Sequence, residues 1–302
     1  MARGVYLVLA TAVISGVSIF VNRVGVSGIN ASVYTWSKNL ITALLLFALI
    51  LFVRKFRELR VLGRRDWLRL AAIGLFGGSI PFLLFFNGLQ MTTAARGAFI
   101  HKTMFIYVAV LAALLLKERL GKRILIPATL LLAGNAIFLN LPLGLGMGDL
   151  LILLATLFWA VEVIISKHTL STLSPSIVAF GRMFFGAVFL LIFLTATGSI
   201  AEAGSLVGHW PWVLLTSGFL FLYVITFYTG LQTVKAHVAT SILLLGSPIT
   251  TLLSATLMNG TILPGHILGT AFLISGVVTM VFLSGRIPEG IMTKLRVYDG
   301  RS

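Results

Sequence analysis

Long apolar runs alternate with short polar turns along the whole chain. The runs cover about 4–23, 32–53, 68–89, 94–116, 123–141, 149–167, 175–196, 211–231, 236–258 and 265–285. Each is close to the roughly 20 residues that a helix needs to cross the hydrocarbon of a bilayer. Strict period-two alternation, the mark of a barrel strand, is absent from them. Backbone groups cannot stay unpaired in lipid, so the pattern predicts ten transmembrane helices and an all-α integral membrane protein.

The pattern also repeats. The stretch from Gly88 to Asn135 lands on Gly230 to Val277 without a gap after a shift of about 142 positions. Gly88-Leu89-Gln90 meets Gly230-Leu231-Gln232, Ala94 meets Ala236, Ala113 meets Ala255, and Gly134 meets Gly276. Self-similarity over half a chain points to internal duplication, with halves at 1–143 and 144–302. Five helices per half is an odd number. The second half therefore enters the membrane upside down, which predicts two inverted repeats.

Composition sharpens this reading. Apolar residues make up 58% of the 302 positions and charged residues 10%, against about 25% charge in a soluble domain. A chain this apolar cannot cover a water-facing surface. The first run is long enough to span and remain, so it reads as a helix of the mature protein and not as a cleaved leader. There is no cysteine, which excludes disulfides and thiolate metal sites. The net charge of +15 would suggest nucleic acid in a soluble protein; here it sits in short turns. Arg54, Lys55, Arg57, Arg60, Arg64 and Arg65 fill one linker. Lys117, Arg119, Lys122 and Arg123 fill the turn after helix four, and Arg286, Lys294, Arg296 and Arg301 fill the tail. With ten helices all three lie on one side, the cytoplasmic side by the positive-inside rule, together with both termini. Loops 142–148 and 197–209 carry no Lys or Arg. Trp36, Trp210 and Trp212 are expected near the outer interface and Trp67 near the inner one.

The layout of ten segments, the turn Lys117-Glu118-Arg119-Leu120, the glycines Gly134 and Gly276, and the basic residues Lys38 and Arg182 in the second helix of each half carry a resemblance. The chain resembles the drug/metabolite transporter superfamily, in its EamA-type branch. It departs from that pattern at Lys38, where arginine is usual, and at Asn259-Gly260, where an acidic residue is common. The resemblance implies helices one to four and six to nine around a central cavity, with five and ten peripheral. It also implies export or exchange of small metabolites such as amino acids.

Ionisable groups within a span are costly and usually face a cavity or a partner. Lys38, His101 and Lys102 fall in the outer half. Lys102 reads as a cationic anchor for a carboxylate or phosphate, or as a bridge to a carbonyl of another helix. Lys38 is a second anchor or a snorkelling lysine. Glu162 and Arg182 read as a buried pair, or Glu162 as a proton-coupling carboxylate. His101 is the other proton candidate. Trp159 is a packing residue or a stacking wall for substrate. Lys167, Lys235 and His237 lie near helix ends, where they can reach the interface. Pro81 and Pro248 each remove a backbone hydrogen bond inside a span and are candidate hinges; Ser247 and Thr250 stand ready to take the freed carbonyls.

Metalloprotease, nucleophile-elbow and phosphate-loop motifs are absent, as is any carboxylate cluster for a metal. The expected function is secondary active transport of small organic metabolites by alternating access, driven by exchange or by protons, without a cofactor and without catalysis. Amino acids are the expected substrates, moved outward. Phosphorylated or nucleotide-sugar solutes are the alternative, and a lipid-modifying enzyme is a weaker one. The expected partners are substrate, bilayer and protons, with no nucleic acid, in a monomer or homodimer of the plasma membrane.

Overall fold

The computed structural model describes residues 2–25, 29–92, 94–118, 121–139, 146–258 and 261–285. Arg119 and Leu120 of the basic turn, the boundary near 143, positions 142–145 of the loop, Asn259-Gly260 and the tail from Arg286 lie outside the described residues. All regular structure among the described residues is helical. Helix one is Ala2–Gly25, helix two Ala31–Phe52, helix six Met147–Thr169 and helix seven Pro175–Ala196. Helix eight is Trp210–Thr233 and helix ten Pro264–Gly285. Helix five is described over Leu125–Leu139. It is the one expected span that falls short of membrane-crossing length among the described residues; the other nine reach it. Side chains such as Phe52, Leu114 and Phe282 stand exposed on the outside, as a lipid-facing surface requires.

Three spans are irregular. Helix three runs Arg64–Ile73, widens to a π-helical segment over Gly74–Ser79, and resumes over Ile80–Met91. Helix four joins Ala94–Lys102 to Met104–Leu115 through a tightened turn at Thr103. Helix nine joins Ala236–Ile242 to Gly246–Leu257 through a 3₁₀ turn at Leu243–Leu245. Thr103 and Leu245 occupy matching positions in the two halves. A further 3₁₀ stretch, Ser199–His209, fills the loop before helix eight, which sequence reading treated as a plain linker.

The packing is two-fold in pattern. Helix one runs antiparallel along helix eight, with Gly4 against Gly230; a Cβ on Gly230 would stand 3.0 Å from the Gly4 carbonyl. Helix three meets helix six in the same way. A Cβ on Gly88 or on Gly148 would stand 2.7 Å from the other's carbonyl. Gly88 matches Gly230 between the halves, and Gly4 and Gly148 both lie in the first turn of helices one and six. The linkers agree. Glu58 Oε1 accepts from Ser174 N at 2.7 Å, and Glu202 Oε2 accepts from Asn30 Nδ2 at 3.1 Å. Each acidic residue of one half thus binds the start of a helix in the other. Helices five and ten pack along each other, with Gly134 against Gly269 and Gly276 against Leu131. They touch the rest of the bundle mainly through helices four and nine.

Candidate functional site

The site grows from one missing hydrogen bond. Pro81 has no N–H to give to the carbonyl of Gly77 four residues earlier. That carbonyl is buried, and it accepts instead from Trp159 Nε1 at 3.2 Å and from Arg182 Nη2 at 3.1 Å. One proline on helix three therefore fixes a tryptophan on helix six and an arginine on helix seven. Asn39 of helix two donates to the neighbouring Gly78 carbonyl at 2.9 Å. Gly77 also has to be small. A Cβ there would lie 2.4 Å from Glu162 Cγ and 3.1 Å from Arg182 Nε.

Glu162 and Arg182 form the expected pair, loosely, at 3.7 Å. A third residue holds them. Tyr228 of helix eight donates to Glu162 Oε1 at 2.6 Å and accepts from Arg182 Nη1 at 3.2 Å. Ser166 donates to the same Oε1. Both hydroxyls thus meet at Oε1, while Oε2 faces Arg182. Arg182 Nε and Asn39 Oδ1 are the buried polar atoms left without a partner among the described residues. Tyr228 escaped sequence reading because a tyrosine in an apolar run carries no periodic signal; the spacing of Pro81 from Gly77 was the signal available for the orphan carbonyl.

Trp159 lies in an aromatic cluster. Its ring centroid is 4.7 Å from His101, 5.4 Å from Phe82 and 5.5 Å from Phe85, in edge-on arrangements. His101 is thereby brought to Trp159, a pairing that helix periodicity could not supply. Next to it, Lys102 reaches across to helix nine, with Nζ 3.5 Å from the Leu243 carbonyl at the 3₁₀ turn. The two irregular helices cross here. Pro248 follows one turn later, and Thr250 donates to the Gly16 and Gly246 carbonyls at 2.8 and 3.1 Å. Lys38 sits apart from this group. It donates to Asn22 Oδ1 of helix one and stands 5.2 Å from the Tyr34 ring centroid. Lys38 and Lys102 share no partner among the described contacts.

The helix-end residues behave differently from expectation. Lys167 was expected to reach the interface. It turns inward and donates to the carbonyls of Leu231, Gln232 and Val234 at 2.6, 3.1 and 2.8 Å. Those groups end helix eight and have no partners within it. His237 was expected to reach the interface too; it is buried, with Nδ1 2.8 Å from Glu118 Oε2. Glu118 Oε1 accepts from Ala236 N, the first amide of helix nine, at 3.1 Å. Burial alone would push the Glu118 carboxyl up. The His237 and Ala236 hydrogen bonds and the nearby Lys167 charge outweigh it and hold the carboxyl below its ordinary value. Lys235 precedes the pair and makes no capping bond to helix nine. At the other end of the bundle, Asp149 accepts from Arg96, from Thr92 Oγ1 at 2.6 Å and from Gly146 N at 2.8 Å. Sequence reading named neither pairing.

Comparison with known proteins fits this geometry. The EamA-like transporter family matches the chain twice, over residues 2–140 and 146–282. YetK of Bacillus subtilis, called an uncharacterized transporter, is 27% identical over 92% of this chain and 87% of its own length. An uncharacterized transporter of Clostridium kluyveri is 25% identical over 78% of this chain and 79% of its own. One crystal structure of a protein superposes with a TM-score of 0.76 over 93% of this chain and 98% of that one, at 16% identity; this likeness concerns the fold alone. Two matched stretches, nine helices of membrane-crossing length among the described residues and a polar seam between them meet in one conclusion: the chain is a membrane transporter that belongs to the EamA-like transporter family.

Proposed function

We propose that the protein is a secondary active transporter of small organic anions or zwitterions, amino acids foremost, and that it works by alternating access. The observation that carries this reading is the crossing of helices four and nine. Both helices lose regularity there, and Lys102 bridges them beside His101 and Trp159. Interrupted helices expose backbone groups that bind polar solutes, and a flexible crossing suits a moving barrier. Among the described residues Lys102 is held by one long carbonyl contact, which suits a cation offered to a substrate carboxylate. Trp159 and its aromatic neighbours supply a wall for the rest of the solute. Lys38, on helix two, is a second cationic group along the path.

The charge bias of the linkers supports an orientation with the basic linkers and both termini in the cytoplasm. Inverted halves have two near-equivalent packings, open to one side or the other. Pro81 and Pro248 are the points about which helices three and nine bend between them. Glu162 and Arg182 serve as a pivot that ties helices three, six, seven and eight, because Tyr228, Ser166 and the Gly77 carbonyl hold the pair from three of those helices.

Counterflow of radiolabelled amino acids into proteoliposomes tests the reading, with Lys102→Ala beside the native chain. Saturable exchange that falls at least about tenfold in the variant, the weight of one charge-assisted hydrogen bond, is expected. Exchange unchanged by Lys102→Ala would move the anchor elsewhere. Absence of exchange for amino acids together with exchange of a phosphorylated solute would replace the substrate class.

A further inference from the structure

The cytoplasmic end of the crossing is fastened by a pair that the transport reading leaves without a task. Glu118 leaves the turn after helix four and receives the first amide of helix nine and the His237 ring. These contacts join the two central helices of opposite halves, which have to separate for that end to open. The groups acting on the Glu118 charge are His237 from helix nine and Lys167 from helix six. Lys117 and Lys235 flank the pair in sequence. The hydroxyls of Thr240 and Ser241 bond the His237 carbonyl and leave its ring to Glu118.

The opposite end is built otherwise. The position matching His237 is Ala95, and the position matching Glu118 is Gly260, so the second half cannot repeat the pair. Its fastening is Arg96 with Asp149 between helices four and six. Histidine is the side chain whose ordinary range falls between pH 5 and 8. The fastening at one end contains one, and the fastening at the other does not.

We infer that Glu118 and His237 form a proton-operated latch: a proton taken up by the His237 ring closes the cytoplasmic end, and its loss releases helix nine from the helix-four turn. This rests on the transport reading for its purpose but not for its test. The sign is fixed by the partner. The imidazolium gains from the Glu118 carboxylate only in the closed form, so closure is favoured at low pH and weakens as pH rises. The Glu118 carboxyl is held below its ordinary value by the His237 and Ala236 hydrogen bonds and the Lys167 charge, and it keeps its own charge throughout. Nδ1 donates to the Glu118 carboxylate across 2.8 Å in either state; the added proton goes to Nε2 and makes that bond charge-assisted.

The natural chain has no cysteine, which allows a clean accessibility measurement. Ser241 is fully buried one turn behind His237, and Ser171 is exposed in the loop between helices six and seven. A membrane-impermeant thiol reagent is applied to inside-out vesicles bearing Ser241→Cys. Its labelling rate is divided by that of Ser171→Cys, which removes the intrinsic pH dependence of thiol reactivity. The ratio is expected to rise at least about fivefold between pH 5.5 and 8, the scale of one lost charge-assisted bond. Glu118→Gln raises the ratio at low pH and flattens the profile, and His237→Gln flattens it as well. A flat profile in the otherwise native chain overturns the latch, whatever the variants do. A pH profile that survives both Glu118→Gln and His237→Gln, in protein that still elutes as one species, overturns it too. Labelling needs no substrate, so a failed counterflow measurement and a failed latch remain distinguishable.

Discussion

At the scale of single residues, the polar core shows how a membrane interior makes a few atoms decisive. The Gly77 carbonyl is free because Pro81 lacks an N–H, and two side chains from other helices converge on it. Removing one partner of a buried charge pair leaves the other charge uncompensated, which costs about 3–5 kcal/mol. Glu162→Gln is therefore expected to lower stability by about 3 kcal/mol, read as thermal unfolding in detergent. Tyr228→Phe removes a bridging hydroxyl and is expected to cost about 1 kcal/mol. A Glu162→Gln protein that unfolds at the native temperature while its transport loses pH dependence would return Glu162 to a proton-carrying role. The sequence displayed Glu162 and Arg182 as rare charges in apolar runs, and their pairing was legible from that rarity. Tyr228 and the Gly77 carbonyl were not legible, since a hydroxyl and a backbone oxygen become partners only once four helices meet.

At the scale of elements, glycines set the distance between helices. The Gly4–Gly230 and Gly88–Gly148 contacts let two helix pairs approach to backbone contact, the favoured way for helices to associate in lipid. Forcing extra methyl groups into such a seam costs about 1–3 kcal/mol. Gly148→Val and Gly230→Val are expected to lower the unfolding temperature by similar amounts, because they stand at matching seams. Gly208→Val, with open space at its Cβ, is expected to change nothing. Unequal losses at the two seams would argue against the two-fold packing. The irregular turns at Thr103 and Leu243–Leu245 belong to this scale as well. Pro248 announced one of them. Nothing in the apolar run around Thr103 announced the other, because a local tightening changes neither composition nor period.

At the scale of the whole molecule, the charge bias predicts an orientation that can be measured. Single cysteines placed in the 117–123 turn are expected to react with impermeant reagent only from the cytoplasmic side, and those at 261–263 only from outside. Reaction of both from one side would contradict inverted halves. The two ends differ in chemistry: a histidine–carboxylate pair lies at one and an arginine–carboxylate pair at the other. That difference lies in the sequence as Ala95 against His237 and Gly260 against Glu118, but it acquires meaning only when helix nine is seen to begin on Glu118.

The sequence by itself determined the class and the family, because lipid enforces length and apolarity on every span, and it displayed a repeat in register. It also marked the charged residues worth following. Only the tertiary structure decided which of them meet. Contacts such as Lys167 with the end of helix eight, His237 with Glu118, and His101 with Trp159 join residues far apart in sequence. Their geometry depends on how the helices cross, and crossing is set by interhelical packing that no single span encodes.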